Sequence, residues 1–200
     1  MELDQIKQDI LKEVANIGAG NAATAFSGMI GQEINMTVPK VELVEIQELP
    51  SITGDQEEYI ACIMINFSGE ISGKILLVVD MENVEKMLKL IFATDDLPGK
   101  EMQHSALNEL GNILSGAYLK AINDFTDLDL DQSVPAMAYD MAGAVLSSSV
   151  IDYSQTEDFI LLLETEFITG EEKLELYYFF IPEKDSLDFL FKRLVGDNFA

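Results

Sequence analysis

The 200-residue chain contains 12 basic and 36 acidic residues, a formal net charge of −24, and 48% of its residues are hydrophobic. This composition is typical of a globular protein with a sizeable core. So negative a surface repels phosphate backbones and anionic lipids, which excludes nucleic acids and membrane surfaces as expected partners and favours a protein with a basic surface. Solubility alone would explain the charge equally well.

The chain is expected to be cytoplasmic and to lack a membrane-spanning segment. Residues 1–10 have neither the basic start nor the apolar core of a signal peptide. No apolar run approaches the roughly 18 residues that cross a bilayer. The one cysteine, Cys62, lies in an apolar, strand-like run, so a buried, reduced thiol is expected and an internal disulfide is impossible.

The first half of the chain is predicted to contain two helices and three extended segments. Residues 2–30 are predicted to form a long helix because apolar residues recur at three- and four-residue spacing. An extended segment at 34–48 follows, then a hairpin of 59–67 and 71–79, then a helix at 82–93. Two glycines within the long helix, Gly18 and Gly20, are interpreted as places where another backbone approaches closely, either within the fold or from a partner.

The second half repeats this order after a linker at 95–100. It is predicted to comprise a helix at 103–124 that opens at His104-Ser105, an extended segment at 134–139, a hairpin of 158–168 and 172–181, and a helix at 185–196. A short helix at 139–151 has no obvious equivalent in the first half.

We therefore predict an α+β fold with an antiparallel sheet and two long outer helices. The chain would be a single domain, 1–200, built from two repeats of about 1–95 and 101–200 that are related by a pseudo-twofold axis. The two halves would either share one sheet or pack two sheets together.

A four-residue pattern occurs once in each half, and its second copy follows the first by 96 positions. The first copy is Asp9, Glu13, Asn16 and Pro39, and the second is Ser105, Glu109, Asn112 and Pro135. At about 100° per residue, the first three members of each copy share one helix face beside the apolar stripe. A single Glu–Asn pair would be read as a solvated helix face, but its repetition in register favours a functional site.

A carboxylate and a neutral amide one helical turn apart can pair with a cation and orient a water molecule. Phosphoryl transfer needs mainly positioning and charge neutralisation, and an amide that orients the attacking water is a known device. The pair lacks a nucleophile and a phosphate cradle, so it could complete a site on another protein that carries the phosphoryl group and its metal. His104, the only histidine, could be a general base, but a surface position near a helix start is the simpler reading.

The spacing closely resembles the signature of the bacterial chemotaxis phosphatase family of CheC, CheX and FliY. That signature is Asp or Ser, three residues, Glu, two residues, Asn, 22 residues and Pro, and this chain matches it twice. The resemblance implies an enzyme that hydrolyses the aspartyl phosphate of the response regulator CheY and so terminates a chemotaxis signal. Asn16 and Asn112 would position the water, and Glu13 and Glu109 would pair with a lysine beside the phosphate. No cofactor of its own is implied, because the magnesium would belong to CheY.

The resemblance also implies a second partner, the receptor deamidase CheD. It would dock on the extra short helix of the second half, at about Ala142, Gly143, Val145, Leu146 and Asp152. The alternative to a phosphatase is a non-catalytic adaptor that binds phosphorylated CheY, CheD or both. The sequence does not decide which of the two sites dominates.

The remaining motif residues are expected to support the site. Asp9 and Ser105 differ in type, so capping of the long helices or support of the Glu–Asn pairs is expected of them. Pro39 and Pro135 are expected to hold the chain near the motif helices, with Pro39 at a strand edge or entry.

Overall fold

The computed structural model describes residues 5–151, 159–169, 172–183 and 185–195. The helices in these ranges are α1 (Gln5–Ile30), α2 (Leu49–Ile52), α3 (Met81–Phe92), α4 (Lys100–Thr126), α5 (Ala142–Ser149) and α6 (Ser186–Val195). The strands are β1 (Asn35–Glu45), β2 (Tyr59–Ser68), β3 (Gly73–Asp80), β4 (Asp131–Gln132), β5 (Ala136–Met141), β6 (Phe159–Thr169) and β7 (Glu172–Pro182). A 3-10 turn, Ile46–Glu48, joins β1 to α2.

All seven strands belong to one sheet with the order β1-β6-β7-β3-β2, and both β4 and β5 pair with β2. Every pairing is antiparallel, which confirms the α+β prediction and selects one shared sheet over two. The order is symmetrical about the pairing of β3 with β7. Each half also gives a strand to the hairpin of the other, since β1 pairs with β6 and β5 pairs with β2. That the halves are repeats stays a prediction, which this symmetry favours.

The sheet lies between two layers of helices. Along β3, Ile75 and Leu77 enter one core cluster, whereas Leu76 and Val78 enter another. This alternation is the period-two geometry of a strand that is buried on both faces. The first cluster includes residues of α1, α3, α4 and α6, and the second includes residues of α2 and α5. The two long motif helices therefore share one face of the sheet.

Gly18 lets α1 approach α4 closely. A Cβ atom at this position would lie 2.5 Å from Tyr118 Cδ1 and 3.2 Å from Tyr118 Cα. Because Cα belongs to the backbone of α4, a rotation of the Tyr118 side chain alone would not make room for the added atom. The prediction of close approach is confirmed at Gly18. At Gly20, which is exposed, nothing lies within 4 Å of the added atom, so close approach within the fold is excluded there and approach by a partner stays a prediction.

Two boundaries differ from the sequence-based predictions. α4 begins at Lys100, with Gly99 at its N-cap position, and not at His104-Ser105 as predicted. The predicted helix 139–151 begins only at Ala142, because residues 139–141 pair with β2, where Tyr139 lies opposite Ala61. Backbone pairing with a distant strand outweighs local pattern here.

The first half also contains a short helix that the sequence reading missed. α2 packs in the same core cluster as α5 through the fully buried Leu49.

Pro39 lies within the edge strand β1, where the register with β6 shifts between Thr37 and Lys40. This confirms the edge position, since a proline cannot donate a ladder hydrogen bond.

Candidate active sites

The first Glu–Asn pair is exposed on α1. Glu13 and Asn16 face solvent, while the adjoining Val14 and Ala15 are buried in the core. Within the part of the chain that the structure describes, no hydrogen bond or ion pair holds either side chain. The carboxylate and the amide are therefore accessible to a partner and free to reorient.

The second pair lies on α4 and is held differently. Glu109 is exposed, but Asn112 is half-buried. Gln132, in β4, donates from its Nε2 atom to Asn112 Oδ1 at 2.6 Å and to the Asn112 backbone oxygen at 3.1 Å. Ser115, which is fully buried, places its Oγ atom 2.6 Å from Gln132 Oε1. The amide of the second site therefore belongs to a short chain of hydrogen bonds.

Sequence reasoning missed Ser115 and Gln132, although the repeat itself contains a signal. At the offset of 96 residues, Ser115 corresponds to Ala19 and Gln132 corresponds to Met36. Ala19 and Met36 are both buried and apolar. A position that is apolar in one copy and polar in the other marks the place where the two sites differ.

The capping role considered for Asp9 and Ser105 is wrong, because both residues lie inside their helices. Ser105 is five residues beyond the first residue of α4, and its Oγ donates to the Glu101 backbone oxygen at 3.0 Å. Asp9 accepts a hydrogen bond from Gln5 Nε2 at 2.9 Å. Each side chain thus interacts with the preceding helical turn. Support of the adjacent pair stays a prediction for both residues, as does the structural role of Pro39 and Pro135.

The remaining chemically active side chains do not resemble a covalent catalytic centre. Cys62 is fully buried, and burial raises the pKa of its thiol to about 12, which keeps it protonated and poorly nucleophilic. His104 is exposed, and its Nδ1 atom lies 3.1 Å from Asn108 Nδ2. Among the described residues, no group of three or more His, Cys, Asp and Glu side chains is suited to hold a metal ion.

The short helix α5 places most of the predicted docking residues in the interior. Ala142, Val145 and Leu146 are buried in the core cluster on the α5 face of the sheet. The backbone N–H of Gly143 donates to the Gln56 backbone oxygen at 2.9 Å. Asp152 lies outside the described residues. The exposed positions of this segment are Ala144, Ser147, Ser148 and Ile151.

The architecture resembles solved structures of chemotaxis and flagellar switch proteins. FliY of Thermotoga maritima superposes with a TM-score of 0.80 at 19% sequence identity, and the match covers 98% of each chain. A CheX–CheY–BeF3–Mg2+ complex from Borrelia burgdorferi matches with a TM-score of 0.53 at 20% identity, over 84% of this chain and 96% of the other. The fold is therefore that of the class to which FliY and CheX belong.

Sequence comparison gives the family. Residues 6–43 match the model of the CheC-like family, and residues 61–154 match that of the chemotaxis phosphatase CheX. The chain is 34% identical to the CheY-P phosphatase CheC of Bacillus subtilis (strain 168), over 94% of this chain and 93% of the relative. It belongs to the CheC-like family. In the described part of the chain, no helix has the length and apolar character needed to cross a bilayer.

Proposed function

We propose that this chain is a phosphatase that hydrolyses the aspartyl phosphate of CheY and thereby terminates a chemotaxis signal. The observation that carries the proposal is the accessibility of both Glu–Asn pairs, since neither is sealed beneath packed side chains. Membership of a family whose Bacillus subtilis relative is named a CheY-P phosphatase supports the same reaction.

The proposed mechanism divides the work between two proteins. CheY supplies the phosphoryl group and the Mg2+ ion, as the composition of the CheX–CheY–BeF3–Mg2+ complex suggests. Asn16 or Asn112 orients a water molecule in line with the phosphorus atom, which converts a random encounter into a near-attack geometry. Glu13 or Glu109 pairs with a cationic side chain beside the phosphate and so aligns the two proteins.

The decisive experiment removes both amides and leaves the carboxylates in place. Asn16→Ala combined with Asn112→Ala should abolish accelerated release of phosphate from phosphorylated CheY, while binding of CheY stays close to that of the unchanged protein. Asn21→Ala, which removes another exposed asparagine of α1, serves as the matched control and should retain full activity. Rapid phosphate release by the double variant would exclude these amides as the catalytic groups.

A non-catalytic adaptor is the competing function, and the same assay separates the two. An adaptor would bind phosphorylated CheY without shortening the lifetime of the phosphate. Equal phosphate lifetimes with and without the unchanged protein would therefore favour the adaptor.

We further propose that CheD binds the outer face of α5 and the exposed Ile151 beside it. The support is the geometry of this segment, where small or apolar residues stay exposed although the opposite side of the helix is buried. Ser147→Arg should weaken CheD binding at least tenfold in a calorimetric titration, whereas Ser133→Arg, an exposed serine outside α5, should not. Unchanged affinity of the Ser147→Arg protein would place CheD elsewhere.

A further inference from the structure

We propose that Ser115 and Gln132 are positioning residues that hold Asn112 with its amide nitrogen facing outward. Asn112 would then meet the water or the phosphoryl group as a hydrogen-bond donor. The orientation follows from contacts within this chain, and its catalytic consequence rests on the proposed phosphatase function. The first site has no such arrangement, so the two Glu–Asn pairs would be chemically unequal.

The orientation of the Gln132 side-chain amide is determined by its contact with the backbone carbonyl of Asn112, which can only accept a hydrogen bond. Its Nε2 atom lies 3.1 Å from the backbone oxygen of Asn112. A backbone carbonyl only accepts hydrogen bonds, so the atom facing it must be the Gln132 nitrogen and not the amide oxygen. The opposite end of the Gln132 amide then presents Oε1 to the Ser115 hydroxyl at 2.6 Å. That hydroxyl also lies 2.7 Å from the Gly111 backbone oxygen, so its one proton is shared between the two acceptors.

The orientation of Asn112 follows from that of Gln132. The same Nε2 atom lies 2.6 Å from the side chain of Asn112. Two amide nitrogens at this distance would repel each other, so Asn112 must turn its Oδ1 atom inward and its Nδ2 atom outward. The result is a directed series in which Ser115 shares its proton between Gly111 and Gln132, and Gln132 donates to Asn112.

Such a series affects both the energy and the mobility of the last amide. Consecutive hydrogen bonds polarise one another, which makes the outward N–H groups of Asn112 better donors than those of an isolated amide. Because Asn112 is already held, less rotamer freedom is lost when the partner docks. Ser115 is 0% exposed, and the pairing of Gln132 with Phe67 anchors β4 to the sheet, so the series has a rigid base.

The first site lacks both donors. Ala19 and Met36 occupy the equivalent positions, and neither side chain can donate a hydrogen bond to an amide. Asn16 is exposed to solvent and can present either its oxygen or its nitrogen. Gln132→Met therefore gives the second site the residue that the first site already has, at similar side-chain length.

The kinetic test isolates each site in turn. In an Asn16→Ala background, where only the second site acts, Gln132→Met should lower kcat for phosphorylated CheY about tenfold with little change in KM, since orientation and not binding is lost. Gln132→Glu should be at least as damaging, because a carboxylate accepts from Asn112 Nδ2 and turns the amide around. In an Asn112→Ala background, Gln132→Met should leave the activity of the first site unchanged. Equal losses in both backgrounds would indicate general structural damage, and no loss in the first would also overturn the proposal.

A second measurement does not depend on enzymatic activity. In the unliganded protein, the side-chain NH2 protons of Gln132 should exchange with solvent at least tenfold more slowly than those of Asn112, as followed by NMR, and Gln132→Met should shift the Asn112 side-chain signals. Equal exchange of the two amides would refute the orientation even if the phosphatase activity were confirmed. Slow exchange of Gln132 in a protein without phosphatase activity would instead refute only the proposed function.

Discussion

At the scale of single residues, each candidate site offers one neutral amide and one carboxylate. Neither group forms a covalent bond in the proposed mechanism. An amide that orients water acts mainly in the transition state, whereas a carboxylate that pairs with a cation acts from the first encounter onward. The two residue types of each pair should therefore affect different kinetic constants. Because Glu13 and Glu109 are exposed to solvent, we expect each proposed ion pair to form only when the partner docks and excludes water.

Removal of both carboxylates should raise KM about tenfold and change kcat less. In Glu13→Ala combined with Glu109→Ala, a pairing that is present in both ground and transition states is lost, which is the signature of uniform binding. Steady-state phosphate release at varied concentrations of phosphorylated CheY measures both constants. Glu33→Ala combined with Glu57→Ala, two exposed acidic positions outside the motif helices, controls for the change in net charge. A fall in kcat at constant KM would instead assign the glutamates to the chemical step.

At the scale of secondary-structure elements, local periodicity predicts some features and not others. The apolar stripes of α1 and α4 are local patterns, so the motif face could be predicted from sequence, including the exposure of Glu13. The start of α5 depends on the pairing of β5 with β2, and the position of Gln132 beside Asn112 depends on a turn that returns the chain to α4. Such contacts join residues that are distant in sequence, so no helical or strand period reports them.

The contact between α1 and α4 can be tested with two glycines on the same helix. Gly18→Ala should lower the free energy of unfolding by about 1–3 kcal/mol, because the new methyl group overlaps Tyr118 and forces the helices apart. Gly20→Ala should raise it by about 1 kcal/mol, since alanine favours a helix interior and nothing lies near the added atom. Urea unfolding followed by circular dichroism measures both values. A stabilising Gly18→Ala variant would show that the helices can separate at no cost.

At the scale of the whole molecule, the central feature is the crossed placement of the edge strands. The hairpin of β2 and β3 is bordered by β5, and the hairpin of β6 and β7 is bordered by β1. The two hairpins join through β3 and β7. The repeated order of elements could be predicted from sequence. The exchange of β1 and β5 could not, because the apolar pattern of each strand is equally compatible with pairing to the hairpin of its own half or of the other half.

The crossed strands predict that the two halves unfold together. Separate halves would each lose a bordering strand and the β3–β7 pairing, so neither should be stable alone. Urea unfolding followed by far-ultraviolet circular dichroism and by tyrosine fluorescence should give a single, coincident transition. Two resolved transitions, or a folded fragment of residues 1–98 by itself, would contradict this expectation.

The exchange of bordering strands has a consequence for how many molecules are needed to build this sheet. A polypeptide with only one half would leave an open hairpin edge and a strand without a neighbour, and a second copy would have to satisfy both. The fraction of such a polypeptide that has a complete sheet would then fall as the protein is diluted. The present chain carries both contributors covalently, so two Glu–Asn pairs accompany every molecule, however scarce the protein is in the cell.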